Sequence, residues 1–222
     1  MIVRSSARAA TTTDWLDSRH SFAYGSSASP DTHFGLLLVH NEDRLAPGTG
    51  FGEHPHRDVE VLTWVLAGSL SHTDDAGHAG VARPGVVQRM SAGTGVRHAE
   101  HAGPDGVHYL QLWLRPASPG APAYDLVDVA DGLASGRVVS VGPVRQPDAT
   151  LHAVRLVPGG TAALPGGAYL HLFVARGTVR VGADRLGPGD AARLTDAPPP
   201  IVTAETGAEV VVVRMRTGPP VG

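Results

Sequence analysis

Short apolar runs rich in Val, Leu and aromatic residues recur along the chain, separated by polar stretches that carry Gly and Pro at intervals of about ten residues. Those runs, Gly35 to Val39, Val59 to Leu66, Gly68 to His72, Tyr109 to Leu114, Leu151 to Val157, Tyr169 to Ala175, Gly177 to Val181 and Glu209 to Met215, read as strands. No long amphipathic helix interrupts them, so the expected fold class is all-β, of the sandwich or barrel kind. The segment Arg115 to Tyr124, RPASPGAPAY, holds three prolines in ten residues between a strong strand and a more mixed stretch. It is the expected linker, dividing the chain into residues 1–118 and 119–222.

The two halves align by their turns. LAGSLSH around Gly68 precedes a Pro-Gly turn at Arg83 to Gly85, and VARGTVRV around Gly177 precedes another at Gly187 to Gly189. Internal duplication explains the match, and so does chance recurrence in a Gly-rich β chain.

Composition narrows the chemistry. With 222 residues, 42% hydrophobic and 18% charged, the chain can bury a core and does not read as disordered. All 18 basic residues are Arg and the formal net charge is −3, so no polybasic stripe is available for nucleic acid or anionic lipid. Cysteine is absent, which excludes disulfides, iron-sulfur clusters and thiolate zinc sites, and leaves imidazole and carboxylate as the strong metal ligands. No apolar run approaches the roughly 20 residues of a membrane span, and the N-terminus lacks a signal-peptide core, so a cytoplasmic location is expected.

Ten of the twelve histidines fall between His20 and His108. In FGEHPHRDVEVLTW, His54 and His56 are two apart, a step that puts both imidazoles on one face of a strand. In MSAGTGVRHAEHA, His98 and Glu100 repeat the step and can face the same space from another strand. Three imidazoles and a carboxylate suit a divalent Fe, Mn, Co, Ni, Cu or Zn ion with positions to spare. Glu60 rivals Glu100, since strict alternation puts it on the face of His54 and His56. His72 and His78, flanking Asp74 and Asp75, read as solvated; His101 should point away from the site. His20, His33, His40, His152 and His171 read as hydrogen-bonded strand residues. Gln88, Met90 and Gln111 either line the pocket or pack in the core.

GFGEHPHRDVEVLTWVLAGSLSHTD followed by MSAGTGVRHAEH resembles the pirin family of bicupins, and RHSFAYG, Asn41 to Asp43 and LQLWL extend the likeness through the first half. The resemblance implies two β-barrels face to face, with one divalent metal per chain, iron first among the candidates, held in the N-terminal barrel by His54, His56, His98 and Glu100. Glu60 then becomes a hydrogen-bond partner of the ligands or a structural acid. Trp64, Ala67 and Ala99 stand where the family commonly has Tyr, Glu and Ser, differences expected to alter pocket shape.

The implied activity is that of a quercetin 2,3-dioxygenase, with Glu100 taking the proton of a flavonol hydroxyl before dioxygen reacts and carbon monoxide leaves. Two alternatives share the ligands: a metal-binding regulator acting through a protein partner, and an isomerase or hydrolase of the cupin kind. The second barrel is expected to be empty of metal. Carrying the first half's offsets from its turns to Gly177 and Pro188 lands on Ala163, Pro165, Val202 and Ala204, none of which is a ligand.

Overall fold

The computed structural model describes residues 1–23, 25 and 31–218, so Tyr24 of the RHSFAYG motif and the chain's last four residues lie outside the described residues. A nine-stranded sheet built mostly from the first half runs in the order Ala123–Asp128, Val86–Ser91, Glu60–Asp74, Val96–Leu114, Leu37–Leu45, Leu16–His20 and Ala9–Thr12. Gly50–His56 pairs with Val96–Leu114, and Ala79–Ala82 with Glu60–Asp74. A six-stranded sheet built mostly from the second half runs Ile2–Val3, Ala191–Ala197, Gly167–Arg176, Ala208–Met215, Ala149–Leu156 and Val139–Val141. A four-stranded sheet of Thr161–Ala163, Ile201–Ala204, Val179–Val181 and Asp184–Leu186 shares its core. The result is two cupin-type barrels, as expected.

The strands expected on either side of Gly68 are one strand, Glu60–Asp74, bent but not broken there. Its register against Val96–Leu114 shifts between Val65 and Ala67 and again between Gly68 and Leu70, the signature of bulges that turn a long strand around a barrel corner. Gly68 has φ +70°, and a Cβ on it would sit 2.0 Å from the carbonyl oxygen of Gly106. The second half repeats the device: Gly177 has φ +72°, with 2.1 Å to the carbonyl oxygen of Gly207. Matching close approaches at the aligned glycines support the duplication reading.

The proline-rich segment does not part the sheets. Ala123–Asp128, which follows it, pairs with Val86–Ser91 of the first barrel, and Ile2–Val3 pairs with Ala191 and Ala192 of the second. Each barrel thus borrows a strand from the far side of the expected boundary.

Between the barrels lies an apolar layer, and strand alternation explains its make-up. Leu110, Leu112 and Leu114 face the layer while Gln111 and Trp113 face the first barrel's cavity. On Ala208–Met215, Val211, Val213 and Met215 face the layer while Val210 and Val212 fill the second barrel. That strand is buried on both faces, which is why its sequence is a continuous valine run instead of an alternating one. Trp64 lies in this layer, 1% exposed, and its Nε1 donates to Glu209 Oε1 at 2.7 Å; Arg155 Nε donates to Glu209 Oε2 at 2.8 Å. The expectation that Trp64 shapes the pocket is therefore corrected.

His40 and His171 meet across the same junction, fully buried, with His40 Nδ1 2.9 Å from His171 Nε2 and 3.0 Å from Ser21 Oγ. Burial, with Arg193 and Arg8 nearby, pushes His171 down to about 3, and burial, with His171, Arg8 and Arg193, pushes His40 well below the usual imidazole range. Both bind a proton less readily folded than unfolded, so the stability they contribute is complete above about pH 6.5 and lost as the pH falls toward the folded values. Urea unfolding at pH 5 should show a loss of about 2 kcal/mol from His171 relative to pH 7.5, with His40 acting in the same direction. A His171→Gln protein should lose less on acidification than the parent; equal acid sensitivity in the two would refute this assignment.

Candidate metal centre

Three neighbouring strands carry the polar residues of the site, each on a two-residue step. Cα of His54 pairs with His98, and on the other side of Val96–Leu114 His72 pairs with Glu100 and Asp74 with His98. Even-numbered residues therefore face one way along this part of the sheet. The ligating atoms of His54, His56 and His98 lie within 4.8 Å of one another, and those of His72, His98 and Glu100 form a second such group sharing His98.

The donors around each ring show where free lone pairs remain. His54 Nδ1 donates to the carbonyl oxygen of Gly52 at 2.8 Å, leaving Nε2 as the lone-pair nitrogen of a neutral ring. His98 Nδ1 faces His72 at 3.1 Å, while its Nε2 is buried without a partner. His56 packs edge-on against Trp113, ring centroids 4.8 Å apart. Burial, then His54, His56 and His72, pushes His98 down to about 2, and burial and His54 push His56 down to about 4. Both rings stay neutral at physiological pH, the form that binds metal.

Glu100 is 2% exposed and accepts from two amides: Gln88 Nε2 at 2.8 Å on Oε1 and Gln111 Nε2 at 2.9 Å on Oε2. Neither amide can flip without loss, because Trp113 Nε1 donates to Gln111 Oε1 and Tyr124 OH donates to Gln88 Oε1. A carboxylate has about four lone-pair sites, so the two amides orient Glu100 and leave others open. Met90 packs instead with Val59, Val61, Ala92 and Val96.

Two readings of the sequence need correction. Glu60 does not share a face with His54 and His56, because the chain turns at Asp58, φ +52°, and Glu60 begins a different strand. Its Oε2 accepts from the Arg145 backbone at 2.7 Å, so it serves as a structural acid beside the second barrel. His72 is not solvated: it is 1% exposed, with Nε2 3.1 Å from Asp74 Oδ2. Burial alone would raise the Asp74 carboxyl, but hydrogen bonds from the His78 backbone, His72 and the His78 ring outweigh it and lower it. The signal was present in the sequence, since His72 and Asp74 repeat the two-residue step of the other pairs. His101 is exposed and points away, as expected.

Above the imidazoles opens a cavity of about 250 Å³. Phe51, Trp113 and Leu16 give it apolar walls; His54, Glu100 and Gln111 form the wall beside the imidazoles; Ser18, His20, Asn41 and Asp43 form the polar one. Burial pushes Asp43 up to about 6 against a hydrogen bond from Ser18. Trp64, Ala67 and Ala99 do not line it.

Residues 3–114 match the pirin family profile, half of the chain. The chain belongs to the pirin family. Residues 143–215 match the quercetinase C-terminal cupin domain. A Mycobacterium tuberculosis protein, provisionally named a quercetin 2,3-dioxygenase, is 44% identical over 230 residues, covering 97% of this chain and 94% of its own. A pirin-like protein of Caulobacter vibrioides is 36% identical over 90% of this chain and 92% of its own. The crystal structure of the Escherichia coli pirin YhhW in complex with nickel(II) matches with a TM-score of 0.86 at 28% identity, covering 98% of this chain and 100% of that one. The second barrel differs from the first in its filling: Leu164, Val202 and Ala204 are buried among Val154, Leu172 and Val210. No helix among the described residues is long and apolar enough to cross a membrane.

Proposed function

We infer that this pirin is a metal-dependent dioxygenase that opens the ring of a flavonol such as quercetin with dioxygen and releases carbon monoxide. The observation that carries the reading is the buried, unpartnered Nε2 of His98 beside His54 and His56, at the edge of a cavity that also exposes a doubly oriented carboxylate. Neutral imidazoles with free lone pairs and one carboxylate fit a divalent first-row metal, iron first, with His54, His56, His98 and Glu100 as its ligands. When bound, the metal supplies Lewis acidity that makes the flavonol's enolic hydroxyl easier to ionise. Glu100, held by Gln88 and Gln111, is placed to take that proton. Phe51 and Trp113 offer flat apolar surfaces to the aromatic rings, and Asn41 and Ser18 lie across the cavity for ring hydroxyls. The names of the relatives and the quercetinase match of the second barrel support the substrate class.

The test is elemental analysis of freshly purified protein together with oxygen uptake on quercetin. One equivalent of metal and stoichiometric oxygen consumption with carbon monoxide release are expected. A fully metal-loaded protein that consumes no oxygen with quercetin would sink the dioxygenase reading and leave a regulator or another cupin chemistry.

A further inference from the structure

We propose that Asp74 and His72 are positioning residues: a hydrogen-bonded line from Asp74 through His72 fixes the tautomer of His98, so that its Nε2 lone pair is presented to the site. This rests on reading His98 as a ligand, and it adds two residues that the ligand set does not contain.

With both rings neutral, hydrogen counting fixes the line. The Asp74 carboxylate can only accept, and it already receives the backbone N–H groups of Ala76 and His78, at 3.1 and 2.9 Å, and the His78 ring. His72 Nε2, 3.1 Å from Asp74 Oδ2, must therefore carry the hydrogen. A neutral imidazole has one, so His72 Nδ1 is left with its lone pair. That nitrogen lies 3.1 Å from His98 Nδ1, which must in turn carry the hydrogen. The hydrogen of His98 is thereby used on the side away from His54 and His56, and Nε2 is its lone-pair atom, the one that is buried without a partner.

Packing holds the line in place. Tyr124 stacks on the His72 ring at 4.3 Å and 12°, and a Cβ on Gly80 would lie 2.3 Å from the Tyr124 hydroxyl, so glycine at 80 is what admits the tyrosine. Because Tyr124 OH also donates to Gln88, the same tyrosine steadies the His98 and Glu100 lines together. Outer hydrogen-bond partners of this kind are worth about 10- to 100-fold in metal affinity.

The rival is that His72 is itself a ligand, since His72, His98 and Glu100 also come within 4.8 Å. Three full-length variants separate the cases. His72→Phe keeps the stacking and removes both hydrogen bonds; His72→Gln can accept from His98 and donate to Asp74; Asp74→Asn disturbs the anchor while leaving both rings. With cobalt(II) as probe, all should bind one equivalent with the wild-type pattern of ligand-field bands. Affinity should fall about 10- to 100-fold in His72→Phe, fall less in Asp74→Asn, and return toward wild type in His72→Gln. Nitrogen-15 spectra of the histidine rings, in metal-free and zinc-loaded protein, should show hydrogen on Nε2 of His72 and Nδ1 of His98. Unchanged affinity in His72→Phe, altered ligand-field bands in His72→Gln, or hydrogen on Nε2 of His98 in the metal-free protein would each overturn the proposal. Should His72→Phe fail to fold, the tautomers of the unaltered protein and the Asp74→Asn affinity still decide. If wild-type protein binds no cobalt, or His54→Ala keeps full affinity, the ligand reading fails instead, while the metal-free tautomers still test the line on its own.

Discussion

A His98→Ala protein is expected to purify with almost none of the wild-type metal and to lose affinity for added cobalt(II) or nickel(II) by well over about 100-fold, more than an outer-partner change costs. His98 is the imidazole common to both ligand-capable groups, it sits on the central strand of the three, and burial keeps it neutral. No other imidazole of that strand can take its place, because His101 points outward and His108 is engaged with Glu42 Oε1 at 2.9 Å. The fold should survive, since the strand's pairing is made by backbone groups on both sides. Glu60→Gln is the matched control and should retain one equivalent, its carboxylate being engaged with the Arg145 backbone. Full occupancy in His98→Ala, or loss of metal in Glu60→Gln with Glu100→Gln unaffected, would reverse the assignment.

Trp64→Ala should cost about 3 to 5 kcal/mol of stability, the usual range for deleting a large buried aromatic side chain. It also removes the Nε1 donor from Glu209, a carboxylate 3% exposed in the layer between the barrels, so the low end of that range is not expected. Trp64→Phe should recover most of the packing but not the hydrogen bond, and fall in between. Urea midpoints measured by fluorescence and circular dichroism check both. Metal content at low urea should be unchanged, because Trp64 lies outside the cavity. A loss under about 1 kcal/mol, or changed metal binding with stability intact, would show that the tryptophan belongs to the pocket after all.

How far the sequence could be read depended on whether a signal was local. The two-residue steps of His54 and His56, and of His98 and Glu100, are local, and the strands do bring the three imidazoles together. The aliphatic runs on either side of the interface were equally plain. Only the face assigned to Glu60 was wrong, because parity along a strand means nothing across a turn, and the reversal at Asp58 has no glycine to announce it. His72 was misread because the Asp-Asp-Ala-Gly stretch beside it looks like a solvated loop, whereas burial there comes from Tyr124, 52 positions away in the sequence numbering, stacking from a strand that the proline-rich segment assigns to the other half. Trp64 reads as a pocket residue until the second barrel is present to cover it. The misses at His72 and Trp64 each involve a partner that only the tertiary arrangement supplies.

The exchanged edge strands bear on how such a chain can assemble. Ile2 and Val3 leave the ribosome long before Ala191 and Ala192, so their places in the second barrel do not exist until nearly two hundred further residues have been made. The first barrel likewise stays short of an edge until Ala123 to Asp128 emerge past the prolines. Synthesis runs in one direction, but closure does not: a strand made early is seated late, and two barrels that look separable on paper are clasped like folded hands.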